Sequence, residues 1–440
     1  MSGPRGPAFA ALCARAPRGM SLGLGRLRAV LAALGDPQVG LPAVHVAGTN
    51  GKGSTCAMGE SIARAAGLRT GLYTSPHLCR IAERIRLDGA PIDDDRLERA
   101  LARVLAAGPE LTFFELMTAA AFVVFREAGV DVAVIEVGLG GRLDATNVID
   151  APLVTAITSI AVEHAAILGN TLAAIAREKA GIVKPGVPVV VGPVAPEAEA
   201  TILATARERR AGPVLRVVRA AAAEAGPDAI ALLAGPRGAV VVQRPDALGG
   251  GELRAEIGLP GVHQADNAAV ACGIAWLLTR RWPAIERAIA DGLATTTWPG
   301  RLELVPRDET RVLLDCAHNP HGARALAASM AARPGGHDPS RTVLVFGALA
   351  DKPFEDMLAV LAPLAARRVY ATPKGRTPAA LDALEAVAPG EVAADGAAAL
   401  ARALALASPG DTVLVTGSIY LVGEVRGALL GIDCDPVIAL

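Results

Sequence analysis

Pro42-Ala43-Val44-His45-Val46-Ala47-Gly48-Thr49-Asn50-Gly51-Lys52-Gly53-Ser54-Thr55 is the stretch that decides how this chain folds. Six residues of strand character run into a glycine turn, a lysine and paired hydroxyls that open a helical stretch. Such a turn gathers backbone N–H groups around an anion, and the helix N-terminus adds a favourable dipole. Lys52 can reach the terminal phosphates of a nucleotide, and Ser54 or Thr55 can bind a Mg²⁺ bridging them. Gly53 separates the lysine from the first hydroxyl, so the spacing departs from the ordinary nucleotide loop. A plain glycine-rich turn is the bland alternative, but the strand and helix that a phosphate cradle requires are both present.

The basic residues sharpen this reading. Of 43 lysines and arginines only five are lysine: Lys52, Lys179, Lys184, Lys352 and Lys374. A chain this biased has replaced lysine wherever either cation serves. Arginine's planar, permanently charged fork cannot imitate a compact ammonium or a deprotonatable amine. Lys52 and Lys179 are therefore expected to do chemistry, whereas Lys374, in Pro373-Lys374-Gly375-Arg376, reads as a solvated side chain.

Composition sets the outer bounds. With 440 residues, 52% hydrophobic and 20% charged, the chain can build two or three domains with ample core. A formal net charge of −1 and 3% aromatics argue against nucleic-acid binding. No apolar run approaches the roughly 20 residues needed to cross a bilayer. Cys13, Cys56, Cys79, Cys272, Cys316 and Cys434 form no C-x-x-C pair, which favours reduced thiols and a cytoplasmic protein. The segment before Asp36 holds five arginines and no acid, like a transit peptide, but the whole chain is equally rich in Ala and Arg.

Apolar runs at 42–47, 70–74, 131–137, 152–157 and 187–192 alternate with helical patterns at 54–66, 115–128 and 195–210. That alternation implies a mainly parallel sheet covered by helices. Residues 213–257 read as short strands forming a β-rich flap, followed by a helix from His263 to Leu278. The pattern breaks near Thr297-Trp298-Pro299-Gly300 and then resumes, with strands near 311–315, 341–346, 367–371 and 411–415. The fold expected is α/β in two domains. Residues 1–296 would carry the phosphate loop, and 297–440 a smaller Rossmann-like sheet, with a cleft between them.

Polar residues at strand ends supply candidate chemistry. Ser75 offers a hydroxyl at the carboxyl end of the second strand, where open parallel sheets bind ligands. Glu136 closes the apolar strand Val132-Ala133-Val134-Ile135 beside Gly138-Leu139-Gly140-Gly141. Burying its carboxylate costs several kcal/mol unless it is paired or metal-bound, so Glu136 is a credible Mg²⁺ ligand. His164 follows another strand, and Lys179 lies 15 residues beyond it. In the second half, Asp315-Cys316-Ala317-His318-Asn319 ends a strand, Arg301 sits at the hinge, and Asn267 lies at a helix start.

Taken together, the segments GTNGKGST, TSPHL, FFE, EVGLGGRLDATN, EKAGI, HQADNA, WPGRLE, DCAHNPHG and VTGSIYLVGEV resemble the folylpolyglutamate synthase/dihydrofolate synthase family, relatives of the Mur peptide ligases. The resemblance runs from about residue 20 to the end. It implies that Thr49, Asn50, Gly51, Lys52, Gly53 and Ser54 hold ATP phosphates, with Asn267, Arg301 and Asp315 completing the site. Ser75 and Glu136 would ligate one Mg²⁺ and His164 a second. Lys179 looks like a lysine carbamylated by CO₂. A pterin would lie against Met20, Ser21, Leu22, Thr112, Phe113, Phe114, Glu115, Leu143, Asp144 and Ala145. His318 would stand near the incoming amino acid. The chain departs from the family pattern at Glu163, where aspartate is usual, at Cys316 and at Gly25.

The function implied is ATP-dependent joining of L-glutamate to a pterin carboxylate or a folate tail through an acyl phosphate, by a monomer. A Mur-type ligase acting on a peptidoglycan precursor and a catalytically silent nucleotide-binding regulator are the alternatives. Retention of Lys52, Ser75, Glu136, His164 and Lys179 together argues against the silent regulator, and the absence of an N-K-x-D motif leaves a GTPase unsupported.

Overall fold

The computed structural model describes residues 5–15, 23–219, 226, 228–233, 238–333 and 335–438. Its first sheet starts with β1 (Ala43–Ala47), β2 (Thr70–Tyr73), β3 (Ile85–Leu87), β4 (Ala90–Pro91), β5 (Val132–Glu136) and β6 (Val154–Ile157). It continues through β7 (Val189–Val191), β8 (Val214–Val218), β9 (Ala229–Leu233), β10 (Ala239–Gln243) and β11 (Glu252–Glu256). The strand order is β11-β10-β9-β8-β7-β6-β1-β5-β2-β3-β4. Pairing is parallel from β9 to β2, and only the outer strands at either edge run antiparallel. The β-rich stretch after residue 213 thus extends the main sheet, because β8 pairs directly with β7.

Strands buried on both faces must be apolar throughout, which is why β1, β5 and β6 read as continuous hydrophobic runs. On one face Ala133 and Ile135 pack with the helix Phe113–Ala128; on the other, Val132 and Val134 pack with the helices Lys52–Ala65 and Gln264–Leu278. Truncating Ile135 to alanine would cost about 2–5 kcal/mol. The helix Phe113–Ala128 is set by its ends: Thr112 and Glu115 form a capping box, and Gly129 stops it at φ +60°.

The second sheet comprises β12 (Glu303–Arg307), β13 (Thr310–Leu314), β14 (Thr342–Phe346), β15 (Arg367–Ala371), β16 (Glu391–Ala393) and β17 (Thr412–Thr416), ordered β12-β13-β17-β14-β15-β16. All its pairs are parallel except β12 with β13. Edge strands β12 and β16 lack the apolar signal of the other four: β12 carries Pro306 and is mostly exposed, and β16 has three residues. The carboxyl ends of the parallel strands of both sheets open on one cavity of about 370 Å³. Among the described residues no helix is long and apolar enough to cross a membrane.

Candidate active site

The glycine loop Gly48–Ser54 begins at the end of β1. Gly51 caps the helix Lys52–Ala65 with φ +84°, a left-handed conformation that costs glycine least. It also lies so close to Asn267 that a Cβ there would stand 2.2 Å from Asn267 Oδ1. The loop is pinned from β6: Thr49 N donates to Ser159 O (2.7 Å), and Thr158 Oγ1 to Asn50 O (2.7 Å). Thr49 Oγ1 accepts from Ala161 N at 3.0 Å. Lys52 Nζ curls back to Gly48 O (3.0 Å) and Thr49 O (3.2 Å), so its charge stands over the loop. Of the two hydroxyls, Ser54 lines the cavity, whereas Thr55 is buried in the helix packing.

A second cation converges on the same point. Lys179, at the end of the helix Leu172–Lys179 and 4% exposed, donates to Gly48 O at 2.8 Å. Burial and the neighbouring Lys52 charge lower its pKa to about 7. Its ammonium is thus poised to lose a proton near neutrality.

Glu136 ends β5 and is buried. Its Oε2 accepts from Ser75 N at 2.8 Å. Burial raises its pKa, opposed by Lys52 and by the Ser75 N–H. A buried carboxylate with one backbone partner, beside the Ser75 hydroxyl, fits a hard cation that takes oxygen ligands. His164 faces the same cavity, and burial with the nearby Lys352 charge lowers its pKa to about 4, leaving a neutral imidazole able to ligate metal. Among the described residues no three His, Cys, Asp or Glu side chains come together as a ready-made cage. Mg²⁺ is ordinarily held by one or two carboxylates plus substrate phosphates and water, which matches this sparse set.

The second sheet closes the cavity. Asp315 follows β13 and accepts from Leu302 N (3.1 Å) and Ala317 N (3.0 Å); burial raises its pKa. Arg301 and His318 line the same space. At the cavity, Asn50 and Glu163 each reach across from one sheet unit to the other. Asn50 Oδ1 accepts from Asn319 Nδ2 at 3.0 Å, while Asn50 Nδ2 meets His321 Nδ1 at 3.1 Å. Glu163 Oε1 lies 3.0 Å from Lys352 Nζ and 3.3 Å from His318 Nε2.

The structure thus brings together Thr49, Asn50, Gly51, Lys52, Gly53, Ser54, Ser75, Glu136, His164, Lys179, Asn267, Arg301, Asp315 and His318 around one cavity. Of the expected pterin contacts, Phe114 and Asp144 line it. Thr112, Phe113, Glu115, Leu143 and Ala145 are not among the residues that line it. Thr112 and Glu115 satisfy one another as the capping box, and Glu115 pairs with Arg26 at 3.0 Å. Phe113 is buried beneath Arg84. Met20, Ser21 and Leu22 lie outside the described residues. Two residues without an assigned role stand out in the cavity wall. Lys352 was visible as one of five lysines, and Arg84 had no sequence signal among 38 arginines.

Known proteins resemble the chain over nearly its full length. The Mur ligase middle domain matches residues 46–275, and the Mur ligase glutamate ligase domain residues 300–419. The dihydrofolate synthase/folylpolyglutamate synthase of Bacillus subtilis is 36% identical, covering 93% of this chain and 96% of that protein. A probable bifunctional folylpolyglutamate synthase/dihydropteroate synthase of Haloferax volcanii is 39% identical, and the chain spans only 47% of its length. Among solved structures, E. coli FolC in complex with DHPP and ADP superposes with a TM-score of 0.84 at 34% identity, covering 98% of this chain and 99% of that one. A bifunctional folylpolyglutamate synthase/dihydrofolate synthase with Mn, AMPPNP and L-glutamate bound gives 0.81 at 34% identity, covering 97% and 98%.

Proposed function

The chain belongs to the folylpolyglutamate synthase/dihydrofolate synthase family, and from that premise we propose that it joins L-glutamate to dihydropteroate, to folate glutamate tails, or to both, at the expense of ATP. One observation carries the reading. The Gly48–Ser54 loop with its two lysines faces Asp315, Arg301 and His318 across a single cavity, so phosphate chemistry and an incoming amino acid meet in one enclosed space.

A carboxylate is a poor electrophile. Its oxygen attacks the γ-phosphorus of ATP, the bond to the β,γ-bridging oxygen breaks, and ADP leaves with that electron pair. The neutral amine of glutamate then attacks the acyl carbon, inorganic phosphate departs, and the amine proton passes to solvent or a nearby base. The protein's contribution is positioning and charge neutralisation. Lys52 supplies a fixed positive charge at the loop. Ser75, Glu136 and His164 would hold Mg²⁺, which when bound neutralises charge on the phosphates. Mn and AMPPNP in the related structure support a nucleotide with a divalent ion here. Enclosure between the two sheets keeps water from the acyl phosphate.

The same reading puts the hinge at residue 297, with units 1–296 and 297–440, and the interval between the helix ending at Thr295 and β12 beginning at Glu303 supports it. A cytoplasmic monomer without nucleic-acid partners is the companion reading, supported by the net charge of −1 and the unpaired cysteines. Gel filtration tests the monomer. Phosphate release with ATP, glutamate and either dihydropteroate or a tetrahydrofolate tests the activity; release independent of any pteridine carboxylate would overturn it.

A further inference from the structure

Arg84 is among the largest side chains to be fully buried, with 1% of its surface exposed, yet it is one of the residues that line the cavity. It ends the 3₁₀ turn Ile81–Arg84, and its carbonyl accepts from Thr74 N at 3.0 Å, one residue before Ser75. Nε donates to His77 Nδ1 at 2.9 Å. Its Cζ sits 5.1 Å from the Phe113 ring centroid. Among the described residues Nη1 has no hydrogen-bond partner, and no carboxylate lies within ion-pair distance of Arg84.

Nearby acids are committed elsewhere. Glu83 accepts from the backbone of Leu78, Cys79 and Arg80; Asp144 accepts from Leu139 and Thr146; Glu136 accepts from Ser75. A buried cation without a counter-charge is costly by several kcal/mol. A fold that retains one at the wall of a binding cavity has a ligand anion to place there.

Given the ligase reading above, on which this rests, we propose that Arg84 binds the carboxylate of the pteridine-bearing substrate that is to be activated. Position selects that anion. Arg84 stacks on Phe113, lines the same cavity as Phe114, an expected pterin contact, and its carbonyl is tied to Thr74 N, one residue before Ser75 at the end of β2. Lys52 and Lys179 stand over the phosphate loop instead. A guanidinium at this point lets two anions, carboxylate and γ-phosphate, approach each other, and its fork fixes the attacking oxygen.

The test is calorimetric binding of pteroate and of its neutral carboxamide to the full chain with ADP and Mg²⁺. Wild type should prefer the carboxylate by roughly 10- to 100-fold, the worth of a charge-assisted hydrogen bond. Arg84→Met should erase that preference while leaving carboxamide and ADP affinities unchanged, and Arg84→Lys should restore part of it. No preference in wild type overturns the assignment without needing any variant. So does a preference that survives Arg84→Met, whether the loss then falls on glutamate KM (the anion being the incoming amino acid) or on ADP affinity (a phosphate). Wild-type turnover is measured in parallel. A chain that never releases phosphate with a pteridine carboxylate overturns the ligase reading itself, whereas one that turns over but shows no preference overturns Arg84 alone.

Discussion

Lys52 and Lys179 donate to one and the same acceptor, Gly48 O, at 3.0 and 2.8 Å. Two ammonium groups sharing a carbonyl repel each other. The fold tolerates the pair because the buried member readily gives up its proton, its pKa lowered to about 7 first by burial and then by Lys52. Carbamylation by CO₂ needs that neutral amine, and its product is an anion beside Lys52.

Lys179→Ala should therefore be nearly inactive and partly rescued by acetate. In wild type at limiting CO₂, activity should rise as pH passes upward through about 7, because the neutral fraction grows in that direction. Reversible loss on CO₂ depletion checks this. A bare amine in high-resolution density of an active, metal-loaded enzyme would rule the carbamate out.

Lys52→Ala should abolish ATP turnover while circular dichroism and melting stay near wild type, since the Gly51 cap and the Thr158 and Ser159 bonds to the loop remain. Lys52→Arg should fail as well, a planar fork being unable to fold back on two loop carbonyls as an ammonium does. Phosphate release at the wild-type rate in either variant would remove Lys52 from the phosphate site.

Glu136→Gln preserves volume and removes charge. The Mg²⁺ concentration for half-maximal activity should rise tenfold or more, roughly the loss of one anionic ligand worth about 1.5–3 kcal/mol. An unchanged Mg²⁺ titration would make Glu136 a satisfied structural acid.

Glu163 ties the two sheet units through Lys352 and His318. Burial alone would raise its pKa, but the His318 hydrogen bond and the Lys352 charge hold the carboxyl well below the usual range. A depressed folded pKa stabilises above the unfolded value of about 4.3 and is lost as pH falls toward the folded one. Closure should thus be constant from pH 8 to about 5, by small-angle scattering. Glu163→Gln, which leaves Lys352 uncompensated, should open the molecule at all these pH values and cost about 3–5 kcal/mol of closed state. A radius of gyration unchanged by the substitution would refute the tie.

Legibility followed locality. The glycine loop, Ser75 and Glu136 could be placed at the strand ends that open on the cavity because a strand, its terminal polar residue and the following turn are contiguous in sequence. Assembly of Asn267, Arg301 and Asp315 across the cleft came only with the family resemblance, since spacing along the chain carries no such information. Thr112 and Glu115, expected among the pterin contacts, also fit a helix-start signature, Thr-x-x-Glu before an apolar run, and they form that capping box. Arg84 stayed invisible because its meaning lies in an absence, the missing counter-charge, which exists only once every neighbouring carboxylate has been placed. Continuation of the main sheet into β8–β11 was obscured by the glycines and prolines that punctuate the stretch.

The scarcity of lysine has a practical side. Lys52, Lys179 and Lys352 line a single cavity, while Lys374 stands 57% exposed and paired with Glu424. A small amine-seeking electrophile such as cyanate meets few competing targets on this molecule. With CO₂ removed the Lys179 amine, its pKa lowered to about 7, is poised to lose its proton near neutrality, so labelling there and loss of activity should run nearly one to one. Peptide mass mapping would read the modified position directly. Scarcity of lysine elsewhere thus lets an amine label in this cavity be read against little background.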